Sequence, residues 1–359
     1  MVGEGTVRPE RPGEVGAPDG RPRPDDYRGP VVDLGLGVCF PAGASLSAPA
    51  LADLGAVADE MEVEVLWVVD GAVRPGGFAD GVTVAGALAR CTRRCSVGVL
   101  TDLSVGRAPS VLAKEITALD VLSDGRAALG IGWGAWWPGQ PDGTGWTPTT
   151  GLPRGGAPDG TGWTPTTGLP RGGAPVGTRL RPQGLADAAR WVEEAAMVCR
   201  GMWSASPFTF AGRHLSVTGA VNHPAPVRGG GPRLLVSVAG RRRALGVAER
   251  ARAALLQGGA AAGIRRTAAT AASYGLQVPL VTRRWWAAGE DAERVVADLA
   301  IQAAAGASAA LVALPFGGHG TADPGQPADA LRRLADAARR AGLVAGPPGP
   351  DRPGHRCCR

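Results

Sequence analysis

Lysine is nearly missing from this chain: Lys114 is the only one among 38 basic residues, and arginine supplies the rest. Such usage, together with abundant Gly, Pro and Ala, reflects a GC-rich genome, so the arginines alone carry little mechanism. No basic stretch is interleaved with aromatics, and the densest cluster is Arg241-Arg242-Arg243, which leaves nucleic-acid binding without support. A formal charge of +6 fits an anionic small molecule better, such as a phosphorylated cofactor. None of the six cysteines forms a CxxC pair, and Cys91 and Cys95 have no nearby His, so a thiolate metal site is disfavoured. Reduced thiols in a cytosolic protein are expected for so long a chain. There is no apolar run long enough to span a bilayer and no signal-peptide apolar region at the start. The expectation is a soluble, cytoplasmic protein with no membrane partner.

What is present is an alternation of short apolar runs and helical patterns, which implies a parallel sheet wrapped by helices. Strands are predicted at Val31–Val38, Val63–Val69, Cys95–Leu100, Ala127–Ile131, Leu234–Val238, Ala254–Leu256, Val278–Thr282 and Ala309–Leu314. Helices fall between them, at Pro49–Met61, Val82–Arg90, Pro109–Leu122, Leu185–Met202, Arg242–Ala251, Ala261–Tyr274, Asp291–Ala305 and Pro327–Ala341. The third has Pro109 in its first turn and Gly125 just past its end, the usual punctuation of a helix. Eight β-then-α units suit a single (β/α)8 barrel, a fold that routinely exceeds 250 residues as one domain. Residues 1–30 and 346–359 are rich in Pro, Gly and charge and are expected to be disordered, leaving residues 31–345 for the barrel.

One segment breaks the rhythm. Residues 141–157 (PDGTGWTPTTGLPRGGA) recur unchanged as residues 158–174, inside a Pro/Gly-rich stretch spanning 138–182 after the fourth strand. Structural repeats carry an apolar face, and this one has none. Its Pro, Gly and Thr content forbids regular structure. It reads as a duplication within one surface loop, tolerated because closure entropy grows slowly with loop length.

Active sites of such barrels lie at the C-terminal ends of the strands. That places Cys39-Phe40, Asp70, Thr101-Asp102, Gly132-Trp133-Gly134, Ser237–Gly240, Thr282 and Phe316-Gly317 at the candidate mouth.

Residues 109–134 (PSVLAKEITALDVLSDGRAALGIGWG) resemble the hallmark stretch of the luciferase-like monooxygenase family. Pro109, Ala113, Lys114, Glu115, Leu119, Asp120, Leu122, Ser123, Gly125, Arg126, Leu129, Gly130, Gly132 and Gly134 all match its pattern. Glu64–Asp70, Thr92–Val99, Phe210–His214 followed by Pro224-Ala225-Pro226, and Leu235–Ala244 resemble further family segments. The resemblance covers roughly residues 31–342. It implies a barrel holding reduced FMN, or alternatively the deazaflavin coenzyme F-420, and acting on an organic small molecule. Partners implied with it are a second barrel, in a homodimer or a heterodimer with a related subunit, and a separate flavin reductase.

Within that resemblance, Val99, Leu100 and Thr101 correspond to the backbone segment supporting the ring's face. Gly132 and Trp133 lie at the mouth, where glycine lets a ring approach closely. Ser237, Ala239, Gly240 and Arg241 lead into a helix whose free N–H groups attract a phosphate. Lys114, Glu115, Asp120 and Arg126 are expected to fix the third helix against the fourth strand. The chain also departs from the pattern: Gly71 follows Asp70 where members carry His, and Ala108 stands where a His precedes the helix. A positioned His is the usual proton-handling group near neutral pH. Asp70 and His319 remain as the catalytic candidates. The alternative is a degenerate, non-catalytic barrel subunit.

Overall fold

Apolar strands joined by helices with one apolar face can bury both only by closing the strands into a ring and packing the helices outside it. A computed structural model describes residues 36–41, 47–70, 80–103, 107–132, 185–238, 240–287, 289–314 and 327–341 of the 359. The elements begin β1 (Leu36–Pro41), α1 (Ala48–Glu60), β2 (Val65–Asp70), α2 (Gly81–Cys91), β3 (Ser96–Asp102), α3 (Pro109–Leu122) and β4 (Ala127–Gly132). They continue with α4 (Leu185–Ser204), β5 (Phe208–Ala211), β6 (Ser216–Ala220), β7 (Arg233–Ser237), α5 (Arg241–Arg250) and β8 (Ala254–Gly258). The last are α6 (Ala261–Ser273), β9 (Leu280–Trp285), α7 (Ala292–Ala304), β10 (Ala309–Ala313) and α8 (Pro327–Arg340). Eight parallel strands close in the order β1-β10-β9-β8-β7-β4-β3-β2. The expected (β/α)8 barrel is therefore the fold. The readings of 1–30, 138–182 with its tandem repeat, and 346–359 lie outside the described residues.

Four strands run two or three residues past the ends read from the sequence and carry further residues into the barrel mouth: β3 reaches Asp102 and β8 reaches Gly258. β1 runs on to Pro41, past the predicted end at Val38. β9 runs to Trp285, past Thr282. Its two arginines look like a strand terminus in sequence, but they alternate. Arg284 turns outward to Asp298 (2.9 Å) and Glu290, while Arg283 falls on the inner face with Val281 and Trp285.

The hairpin β5–β6 stands outside the barrel, in a segment where the sequence reading placed no strand. The alternation of Phe208 and Phe210 with exposed neighbours is the strand signal. The ring of Phe208 lies against Gly201 of α4, where an added Cβ would come within 2.0 Å of it. Glu194 of α4 fixes the turn by accepting the N–H groups of Arg213, His214 and Leu215 at 2.8 Å each.

The hallmark residues build the wall between helices and strands. Arg126 donates to Thr92 Oγ1 (2.7 Å) and to the carbonyls of Cys95 (2.5 Å), Ala89 (3.0 Å) and Thr92 (3.1 Å). It thus ties the C-terminal end of α2 to β3, rather than α3 to β4 as the sequence implies. Asp120 does serve α3 and β4, accepting from Ala127 N (3.4 Å) and from Val227 N (2.8 Å). Glu115 pairs with Arg107 at 2.8 Å.

Candidate active site in the barrel mouth

The buried apolar side chains form two separate clusters. The larger lies between strands and helices and includes Val38, Leu66, Val99 and Leu129. The smaller fills the lumen and includes Cys39, Trp67, Leu100, Leu235, Val281 and Leu311. Side chains alternate across a strand, so these clusters tell which face each strand residue takes. With the parallel register, they sort the lumen into layers of four from alternate strands.

Lowest among the layers that matter are Gly37, Gly98, Leu235 and Val281, below Trp67, Gly130, Leu256 and Leu311. The indole of Trp67 occupies the room those glycines leave. A Cβ on Gly98 would sit 2.3 Å from the ring's Cε3, and one on Gly37 would sit 3.0 Å from Nε1. Above the indole come Cys39, Leu100, Ser237 and Arg283. The next layer up is Val69, Gly132, Gly258 and Ala313, two glycines and an alanine among its four members. A Cβ built on Gly258 meets nothing within 4 Å. Asp102 and Trp285 stand higher still, on opposite sides of the ring.

The lumen is thus plugged by Trp67 and topped by a cup of small residues over a floor holding one guanidinium. The Arg283 guanidinium lies 4.9 Å from the centroid of the Trp285 ring. Burial pushes the Cys39 thiol up to about 12, with Arg283 pulling the other way. The same burial draws the pKa of Arg283 downward. A neutral thiol and a desolvated cation therefore share this floor.

Asp70, the first catalytic candidate, is turned away from the lumen. Its neighbour Val69 faces inward, so Asp70 faces the helices. Oδ1 accepts from the N–H of Gly81 (3.2 Å), and Oδ2 lies 3.2 Å from Arg107 and 3.5 Å from Thr101 Oγ1. Arg107 also pairs with Asp80 at 2.7 Å. Burial opposes its charge, but the hydrogen bonds and charges of Asp80, Asp70 and Glu115 outweigh it and hold the guanidinium above its ordinary range. Asp70 anchors the start of α2. Its place in the strand, next to an inward residue, explains why a list of strand ends could not tell it from Asp102.

The cofactor candidates divide in the same way. Leu100, Gly132 and Ser237 face the lumen, whereas the buried side chains of Val99 and Thr101 face outward and leave only their backbone to the mouth. Gly240 caps the start of α5 with a φ of 86°, a left-handed backbone that glycine adopts without strain. Arg241 is exposed at that helix start, while Arg242 lies over the Tyr274 ring at 5.8 Å. His319, Trp133 and Ala239 lie outside the described residues. Asp102, placed at the mouth by the sequence but given no role, and Arg283, which the sequence reading left out, both face the lumen. Strand parity counted forward from Leu100 and Val281 puts both on the inner face. Among the described residues, no three His, Cys, Asp or Glu gather to hold a metal, and no helix is long and apolar enough to cross a membrane.

This architecture has known counterparts. A monooxygenase from Streptomyces bottropensis matches with a TM-score of 0.59 at 17% identity, over 86% of this chain and 99% of that one. The coenzyme F-420 dependent tetrahydromethanopterin reductase of Methanopyrus kandleri matches with a TM-score of 0.60 at 14% identity, over 86% and 99%. An F-420-dependent secondary alcohol dehydrogenase matches with a TM-score of 0.58 at 14% identity, over 85% and 99%. At these identities the likeness shows the shared barrel. The family model for luciferase-like monooxygenases matches residues 36–144, which contain the whole hallmark stretch, and bears out the resemblance read from it. No curated protein matches the chain.

Proposed function

We propose that the chain is an oxidoreductase of the luciferase-like type that binds a flavin in the barrel mouth and acts on an organic small molecule. Reduced FMN with O2 is the first reading, and coenzyme F-420 in an oxygen-independent hydride transfer is the second. The observation that carries this is the layer of Val69, Gly132, Gly258 and Ala313, with two glycines among its four members and open space beside Gly258, above the floor of Cys39, Leu100, Ser237 and Arg283. The cofactor would supply the redox chemistry. The chain's own residues hold it and keep water out.

The backbone of Val99, Leu100 and Thr101 and the open face of Gly132 would support one side of the ring. Ser237 offers a hydroxyl at floor level. The start of α5 at Gly240 and Arg241 would take the phosphate, through free N–H groups and a full charge. Asp102 is the lumen-facing carboxylate placed to exchange a proton, in the role that Asp70 cannot fill from outside the ring.

The test is titration of the purified protein with FMN, reduced FMN and coenzyme F-420, read by fluorescence. Micromolar binding of one of them is expected. Failure of all three would leave a non-catalytic barrel. Arg241→Ala should weaken FMN more than riboflavin, and equal loss would remove Arg241 from the phosphate site.

A further inference from the structure

Behind β9, on the face turned away from the lumen, a cavity of about 170 Å3 lies between the sheet and helices α7 and α8. It sits toward the N-terminal end of the barrel, opposite the mouth. Its walls include Leu36 at the start of β1, Ala310 near the start of β10, and Ala303 and Ala338 near the ends of α7 and α8. The strands divide it from the lumen: Val281 points inward, and Thr282 beside it points out into the cavity. Alanines stand where larger side chains would close the space. An apolar cavity of about 150 Å3 takes up a single benzene ring, so one six-membered ring fits here.

The β9 end of the wall is polar. Thr282 is wholly buried and donates its hydroxyl to Gln302 Oε1 at 2.6 Å. Gln302 is only 4% exposed, and with its carbonyl engaged its amide nitrogen is the group left over. No described residue accepts a hydrogen bond from that nitrogen. It lies beside Gly259, where a Cβ would stand 2.5 Å away and close its flank. Ser308 at the exposed rim accepts from Leu280 N at 3.3 Å. A buried amide donor without an acceptor is costly, and an oxygen that enters on an apolar body relieves it. No charged side chain is among the described lining residues, so an ionised ligand would lose its hydration without compensation.

We propose that this cavity is a second binding site, separate from the mouth, for a small neutral ring bearing one oxygen acceptor. Gln302 Nε2 would donate to that oxygen, and the alanine walls would enclose the ring.

Titration of the full chain with 4-fluorophenol and with 4-fluorotoluene, followed by fluorine NMR, tests this. The two probes match in size, and only the first carries an oxygen. The phenol should bind about tenfold more tightly, the worth of one buried hydrogen bond. Gln302→Leu should erase that preference while leaving room for the ring. Equal binding of the two probes, binding of neither, or a preference that survives Gln302→Leu overturns the proposal. Should Gln302→Leu not fold, Ala303→Leu at the exposed end of the wall keeps the amide and fills the space. It should abolish phenol binding. Undiminished binding in Ala303→Leu would place the probe elsewhere, the lumen included, and overturn the assignment.

Discussion

The two apolar compartments of this barrel are made from the same eight strands, yet they demand different things of the sequence. The outer one is filled by Leu, Val, Ile and Ala, with its polar groups tied into caps by Asp59, Asp80, Asp120 and Arg126. The lumen is filled by unequal partners: a tryptophan over glycines below, an arginine under glycines above. A packed wall accepts many sequences of similar volume. The lumen works only if large and absent side chains are matched strand by strand.

That contrast can be broken most severely at Gly98. Gly98→Val drives a side chain into the indole of Trp67, and a loss of about 3 kcal/mol is expected by urea unfolding. The double change Gly98→Val, Trp67→Leu should recover more than half of it. No recovery would mean that the two positions do not share one volume.

In the outer wall, Arg126→Met strips a donor from four acceptors at the junction of α2 and β3, at a cost of about 2 kcal/mol. Lumen ligand binding should be unchanged, because the arginine touches only that wall. A parallel loss of flavin binding would show that the compartments are coupled.

A smaller effect belongs to Asp80, which caps α2 through Thr83 N at 2.7 Å. Burial acts to raise its pKa, but hydrogen bonds from Thr83 and Arg107 prevail and hold it below the ordinary carboxylate range. A depressed native pKa stabilises above the unfolded value and is lost as pH falls through the native one. Asp80→Ala should therefore cost about 1 kcal/mol at neutral pH, and the difference from the native protein should close only in acid below the usual carboxylate range. A gap that widens in acid would reverse the sign argued here. The smallest change is a gain: a Cβ at Gly86 within α2 meets nothing within 4 Å, so Gly86→Ala should add about 0.7 kcal/mol. A shift in melting temperature reads it directly.

The outer compartment was largely legible in the sequence. Pro109 and Gly125 mark the ends of α3, and the apolar runs give all eight barrel strands, because burial on both faces leaves a plain signature. The lumen was legible only in part. Arg283 and Arg284 look like the polar end of a strand, although one points in and one out. Asp70 and Asp102 both sit at strand ends, and only the facing of Val69 and Leu100 distinguishes them. The β5–β6 hairpin was hidden by its shortness, its two phenylalanines being the sole periodic signal. Which face a residue takes depends on register, and register belongs to pairs of strands rather than to any one segment.

Closure of the ring has a consequence for how such a chain can lengthen. Every barrel strand is hydrogen-bonded on both sides, so a residue inserted within one would misalign two neighbours at once. A closed sheet has no edge where that misfit could be discharged. Residues inserted between Gly132 and Leu185 disturb no pairing, and the seventeen-residue duplication of 141–157 lies there. The barrel behaves like a screw of fixed pitch, along which new chain can be let in only between the threads.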